Sequence, residues 1–253
     1  MKLFHRFLGG EGRPLLVLHG LFGSSKNWIS NGKALTKYRQ VHLLDLRNHG
    51  ESPHSEIHSL QEMAHDLKDY ILDLQDKPDL LGHSMGGLTC TLVSLLHPEL
   101  IGSPIIVDIS PRSYPVKFGN EFLALEMDVS GFQSREEIDR KMQEFIPDTF
   151  LRQFLQMNLE KTETGYRWKI NVDAIKSGRE KSLQFPDNLR PFTGNSLFIL
   201  GEKSEYITES DPDIIRTLFP HARIEIIPGG GHYLHYFQSD IFLEVCGKFL
   251  GNS

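Results

Sequence analysis

Asp79-Leu80-Leu81-Gly82-His83-Ser84-Met85-Gly86-Gly87 decides the fold. A short apolar strand runs into Gly-x-Ser-x-Gly, and an apolar helix, Ser84 to Leu96, follows and must stop before Pro98. A strand that turns directly into a helix forces Ser84 into a tight, strained turn. Glycines at 82 and 86 fit there, because strand and helix approach too closely for a Cβ. The turn holds the Ser84 hydroxyl at a helix N-terminus, where backbone N–H groups stabilise an oxyanion. A helix start built from small residues is the plain alternative. It does not explain the strand in front or the apolar helix behind.

Outward from this turn the same rhythm repeats. Pro14 to Gly20, Gln40 to Leu46, Pro104 to Ile109, Ser196 to Leu200 and Ala222 to Ile227 are short, continuous apolar runs that read as buried strands. Between them lie helical patterns. Leu60, Met63, Ala64, Leu67, Ile71 and Leu74 form one stripe over Ser59 to Leu74, and Ser59 with Glu62 reads as a capping box. Asp211 and Pro212 read as an N-cap and first helical residue, and a last helix runs from about Asp240 to Leu250. Alternation of this kind predicts an α/β fold: a mostly parallel sheet with helices on both faces. The rhythm breaks between Pro111 and Pro191. That stretch lacks strand-like runs, carries charged amphipathic patterns such as SREEIDRKMQEFI, and holds seven of the sixteen phenylalanines (118, 122, 132, 145, 150, 154 and 185), with Met127, Met142 and Met157. The expected organisation is a core of 1–110 and 192–253 with a helical cap insertion, 111–191. The cap's aromatics either fill its own core or line an apolar pocket.

Composition narrows the partners. At 253 residues, the chain suits one α/β unit with an insertion, and 39% apolar with 24% charged residues is ordinary for a globular domain. No run of 18 apolar residues exists, so no membrane insertion is expected, and the first residues lack the long apolar run of a signal peptide. A net charge of −6 without a basic block argues against nucleic acid and against an acidic membrane surface. Cys90 and Cys246 read as small apolar residues on helices rather than a disulfide framework, which points to a reducing, cytoplasmic location. Twelve histidines do not by themselves make a metal site. The oligomeric state is not legible.

A serine hydroxyl needs a base to become a nucleophile. His232 is the candidate, in Pro228-Gly229-Gly230-Gly231-His232 just after the last apolar strand, where a flexible loop brings an imidazole over the sheet edge. His83 reads as structural, with its ring directed away from the Ser84 hydroxyl, and His235 is too near His232 to count independently. The imidazole needs a carboxylate to fix its tautomer. Asp108 ends a strand that is otherwise apolar, where an acid is costly unless used or paired. Glu205 follows the next sheet strand in a polar loop. Asp108 is preferred, with Glu205 as the alternative. The oxyanion needs two amides: Met85, after the nucleophile, and Leu21 in His19-Gly20-Leu21-Phe22-Gly23-Ser24, with Phe22 as the alternative.

HGLFGSSKNW, DLRNHGES, LLGHSMGG and PGGGH, in this order and spacing, resemble the α/β-hydrolase superfamily over nearly the whole chain. VDISP and YRWKINVDAI are similar to a narrower group, the small bacterial serine esterases and the mitochondrial α/β-hydrolase-domain-eleven-like proteins. In those esterases the acid lies on the strand after the nucleophile, which carries over to Asp108. Other members place it three residues after the Gly of the following sheet strand, which here is Ser204, one residue short of Glu205. The resemblance implies a carboxylesterase or thioesterase that uses Ser84, His232 and Asp108 on a small-molecule acyl ester or thioester, without metal or organic cofactor. Carbon–carbon bond hydrolysis or proline iminopeptidase-like chemistry is the rival within the superfamily. A non-catalytic binding module is the rival outside it, and requires a broken triad.

Overall fold

Each of the five apolar runs becomes a strand of one sheet. The structure is a computed structural model that describes residues 1–115, 119–178, 181 and 183–251. Phe118 therefore lies outside the described residues. In chain order the sheet strands are β1 (His5–Gly9), β2 (Pro14–Leu18), β3 (Gln40–Leu44), β4 (Asp79–His83) and β5 (Pro104–Val107), and, after the insertion, β8 (Ser196–Gly201) and β9 (Ala222–Ile227). Their spatial order is β1-β3-β2-β4-β5-β8-β9, parallel throughout except for β1, which runs antiparallel to β3. The strand β1 has no buried residue, as suits an edge, and its mixed sequence HRFLG gave no strand signal. The registers Leu81↔Ile105 and Ile106↔Phe198 set the strand ends level, so the turns after β4, β5 and β8 open side by side.

Side chains alternate across the sheet. Leu16, Leu18, Leu80 and Ile106 pack beneath α2 (Leu60–Leu72) and α3 (Met85–Leu96). Leu15, Val17, Leu81 and Ile105 pack against Trp28, against Leu35 of α1 (Ile29–Leu35), and against Phe242 of the last helix, Ser239–Leu250. Leu67 and Leu88 are fully buried, and truncating either to Ala costs about 2–5 kcal/mol. Cys90 and Cys246 are free and buried.

Two helix starts depart from expectation. The Ser59 hydroxyl accepts the Glu62 N–H at 3.3 Å, but the Glu62 carboxylate turns to Arg47 at 2.9 Å instead of closing the box. Arg47 is buried and already holds Asp66, so it draws the second acid. The helix Asp211–Leu218 has Ser210 as its N-cap, one residue earlier than read. The Asp211 side chain is occupied by the Thr208 N–H at 2.7 Å and by Arg112.

The insertion carries α4 (Asn120–Leu125), α5 (Arg135–Met142), α6 (Thr149–Gln156) and α7 (Val172–Ser177). It also carries a two-stranded hairpin, β6 (Leu159–Lys161) with β7 (Tyr166–Trp168), so it is not purely helical. Three residues per strand is too short for periodicity to register. Phe122, Ile138, Leu155 and Ile175 form a separate core there, joined by Phe22 from the turn after β2.

Candidate active site

The turn after β4 is strained as its sequence requires. Ser84 has φ 51° and ψ −118°, and its N–H is held by the Val107 carbonyl at 3.0 Å. A Cβ on Gly82 would lie 2.3 Å from the Gly86 carbonyl oxygen, and one on Gly86 would lie 2.5 Å from that of His19. No other residue fits. Met85 is the first residue of α3, where an N–H has no acceptor within its own helix.

Asp108 follows β5 directly, in the left-handed region at φ 53°, with no exposed surface. Its Oδ1 accepts the Gly201 N–H at 2.8 Å. Its Oδ2 accepts the Ser204 hydroxyl at 2.5 Å and lies 2.7 Å from His232 Nδ1. Three donors offset the cost of burying a carboxylate. A carboxylate only accepts, so the His232 Nδ1 carries a proton and Nε2 presents a lone pair. Glu205 is exposed at the cavity wall, and no hydrogen bond joins it to His232 among the described residues. Ser204, one position earlier, points instead to Asp108.

The turn after β2 is held by buried imidazoles. His19 Nε2 accepts the Leu46 N–H at 3.0 Å, so its Nδ1 donates to the Gly20 carbonyl at 2.8 Å. Burial pushes the pKa values of His19 and His49 down, which keeps both rings neutral. The Gly23 N–H closes the turn on the Gly20 carbonyl at 3.0 Å, with Phe22 at φ 61°. The Phe22 N–H is directed to His49 Nε2 at 3.3 Å, and its carbonyl accepts Asn158 Nδ2 of the insertion at 2.7 Å. No hydrogen bond engages the Leu21 N–H among the described residues.

Ser84, His232, Leu21 and Phe22 line one cavity of about 530 Å³. Phe122, Leu151 and Phe154 of the insertion complete it, whereas Phe132 and Phe145 pack in the insertion's own core. Phe150 packs instead on Tyr236 and Phe237, at 4.8 and 4.7 Å between ring centres, and Phe185 joins the sheet core. Sequence reasoning missed Tyr206, whose ring stacks on His232 at 3.9 Å and 20°. Its carbonyl is fixed by Arg112 at 3.0 Å and by the Tyr114 hydroxyl at 3.2 Å. No spacing rule marks a tyrosine in a polar loop as a stacking partner. Among the described residues, no group of three or more His, Cys, Asp or Glu is arranged to hold a metal, and no helix is long and apolar enough to cross a membrane.

Fold and site together define the class, a serine hydrolase acting on esters. The chain belongs to the alpha/beta hydrolase fold family, whose sequence profile matches residues 13–239. It is 35% identical to the sn-1-specific diacylglycerol lipase ABHD11 of Mus musculus, over 99% of this chain and 85% of that protein. It is 30% identical to Esterase YbfF of Escherichia coli (strain K12), over 94% of this chain and 93% of that protein. A solved marine microorganism esterase superposes with a TM-score of 0.93 at 38% identity, over 98% of this chain and 99% of that one. Both branches of the narrower resemblance are thus represented.

Proposed function

We propose that Ser84, His232 and Asp108 form the catalytic triad of this ester hydrolase. The observation that carries the reading is the 2.7 Å contact between Asp108 Oδ2 and His232 Nδ1 beside the cavity that Ser84 lines. Ser84 Oγ attacks the acyl carbon while its proton passes to His232 Nε2. The Leu21 and Met85 amides stabilise the oxyanion. His232 then gives the proton to the departing alcohol or thiol, leaving an acyl-enzyme. Water, deprotonated by the same nitrogen, attacks that ester and releases the acid. Asp108 orients His232 and stabilises the imidazolium that forms during each transfer.

Residues 111–191 act as a cap over the acyl pocket, with Phe122 and Phe154 on its inner side. The relatives' names, esterase and diacylglycerol lipase, favour an uncharged acyl ester, and the chemistry extends to acyl thioesters. Free, buried Cys90 and Cys246 suit a reducing compartment, and we assign the chain to the cytoplasm. The acidic net charge leaves no role for nucleic acid.

A fluorophosphonate probe tests the assignment. Labelling is expected on Ser84, together with hydrolysis of nitrophenyl esters, and both are lost in Ser84→Ala. A wild-type chain labelled at another serine overturns it.

A further inference from the structure

His83 takes no part in the reaction as derived above, yet its ring touches two of the site's components. It ends β4, is 4% exposed, and lines the same cavity as Ser84. Its Nε2 lies 2.8 Å from the backbone carbonyl oxygen of His232. A carbonyl only accepts, so Nε2 carries the ring proton. On the other side the ring presses on the oxyanion turn: a Cβ added to Gly20 would lie 2.8 Å from His83 Nδ1. Burial, and then the neighbouring His235 and His232, push the His83 pKa well down, so the ring stays neutral with a single donor.

The loop that delivers the base is anchored at Gly230, to the Ile227 carbonyl at 3.0 Å and the Lys203 N–H at 2.7 Å, two residues short of His232. Three glycines precede His232, and Gly229 sits at φ 67°. Asp108 fixes the imidazole through Nδ1 and Tyr206 stacks on its face, but the ring still swings if its backbone moves. The His83 bond fixes that backbone.

We propose that His83 is a positioning residue, pinning the main chain of His232 to the nucleophile strand through its Nε2–H···O=C bond. The inference rests on the assignment of Ser84 and His232 above. A displacement of about 1 Å at a reacting group costs about 10²-fold in rate. The base makes its contact with the reacting proton in the transition state, so the loss falls on kcat and leaves KM nearly unchanged.

Three variants test this: His83→Phe, His83→Asn and His83→Gln, assayed on nitrophenyl esters with thermal melting as the check on folding. Phe keeps a ring and removes the donor. The Asn amide stops near the position of Nδ1, whereas the Gln amide reaches that of Nε2. The expected result is a kcat lowered about 10- to 100-fold in Phe and Asn, with KM unchanged, and most of the loss recovered in Gln. Wild-type kcat in His83→Phe overturns the proposal. So does an equal kcat in Asn and Gln, a comparison that stands even if Phe does not fold. A rise in KM at constant kcat also overturns it, since that marks a cavity wall rather than a positioned base. Failure of the underlying assignment shows differently: the wild-type chain itself then leaves Ser84 unlabelled and the esters intact.

Discussion

The sheet and the insertion hold their parts of the cavity by different means. On the sheet, Ser84 and Asp108 each sit one step past a buried strand and are fixed by the next strand's backbone. The Val107 carbonyl holds the Ser84 N–H at 3.0 Å, the Ile199 carbonyl holds the Asp108 N–H at 2.8 Å, and the Gly201 N–H holds the Asp108 carboxylate. In the insertion the four helices among the described residues are six to eight residues long, too short to persist without packing. They are tied by side chains: Arg152 to Asp139 at 3.0 Å, Asn158 to the Phe22 carbonyl at 2.7 Å. Under the proposed triad, chemistry that depends on fractions of an ångström is built on the sheet, the rigid half. The apolar wall proposed to set acyl preference is built on the insertion.

The comparison breaks most visibly if the rigid half is not where the reaction occurs. Ser84→Ala should lower ester turnover by about 10⁴-fold or more without a change in melting temperature, because triad members act as a unit. Asp108→Asn should approach the same loss of about 10⁴-fold, and Glu205→Gln should cost less than about tenfold. Steady-state kinetics on one nitrophenyl ester decides it. An active Asp108→Asn beside a nearly dead Glu205→Gln would reassign the acid to the exposed loop.

The insertion's share is smaller and graded. Each methylene buried in the cavity that Phe122 and Phe154 line contributes up to about 0.8 kcal/mol, so kcat/KM should climb by up to about 3 × 10³-fold from acetyl to octanoyl esters before the pocket fills. Phe154→Ala should flatten the upper part of that series. A flat series in the wild type would mean that these rings serve only the insertion's own packing.

Legibility in the sequence followed the same division. Buried parallel strands are continuous apolar runs, and a strand-turn-helix at Gly-x-Ser-x-Gly has one geometry, so the sheet and Ser84 could be read directly. Asp108 could be read because an acid in an apolar strand needs a partner, and His232 now stands 2.7 Å from it. The hairpin β6–β7 was not legible, since three-residue strands carry no period. Tyr206 was not, since stacking depends on where a loop comes to rest. The Glu62–Arg47 pair was missed because a capping box is a local rule, whereas Arg47 arrives from a turn fifteen residues upstream.

One property should belong to the rigid half alone. All twelve histidines lie outside residues 111–191. Several are buried and neutral: burial holds the pKa of His235 at about 3 and of His58 at about 4, and pushes His83 and His49 well down. An imidazole in the unfolded chain protonates near about pH 6.5. Below that pH the unfolded chain takes up protons that the native one refuses. Stability is therefore fully present above about pH 6.5 and is lost as pH falls toward the folded values, by up to about 1.4 kcal/mol per pH unit for each such group. His235 is one of these groups, and its ring lies 4.4 Å from that of His83. Its ring lies flat on Trp28 at 4.5 Å and 6°, its Nδ1 has no hydrogen-bond partner among the described residues, and Asn31 binds only its backbone carbonyl, at 2.7 Å. His235→Phe should preserve the stack while removing one titrating group. Urea unfolding from pH 7 to 4 should then show a shallower fall in stability than wild type, by at most about 1.4 kcal/mol per pH unit. Parallel curves for the two proteins would mean that His235 does not remain neutral in the fold.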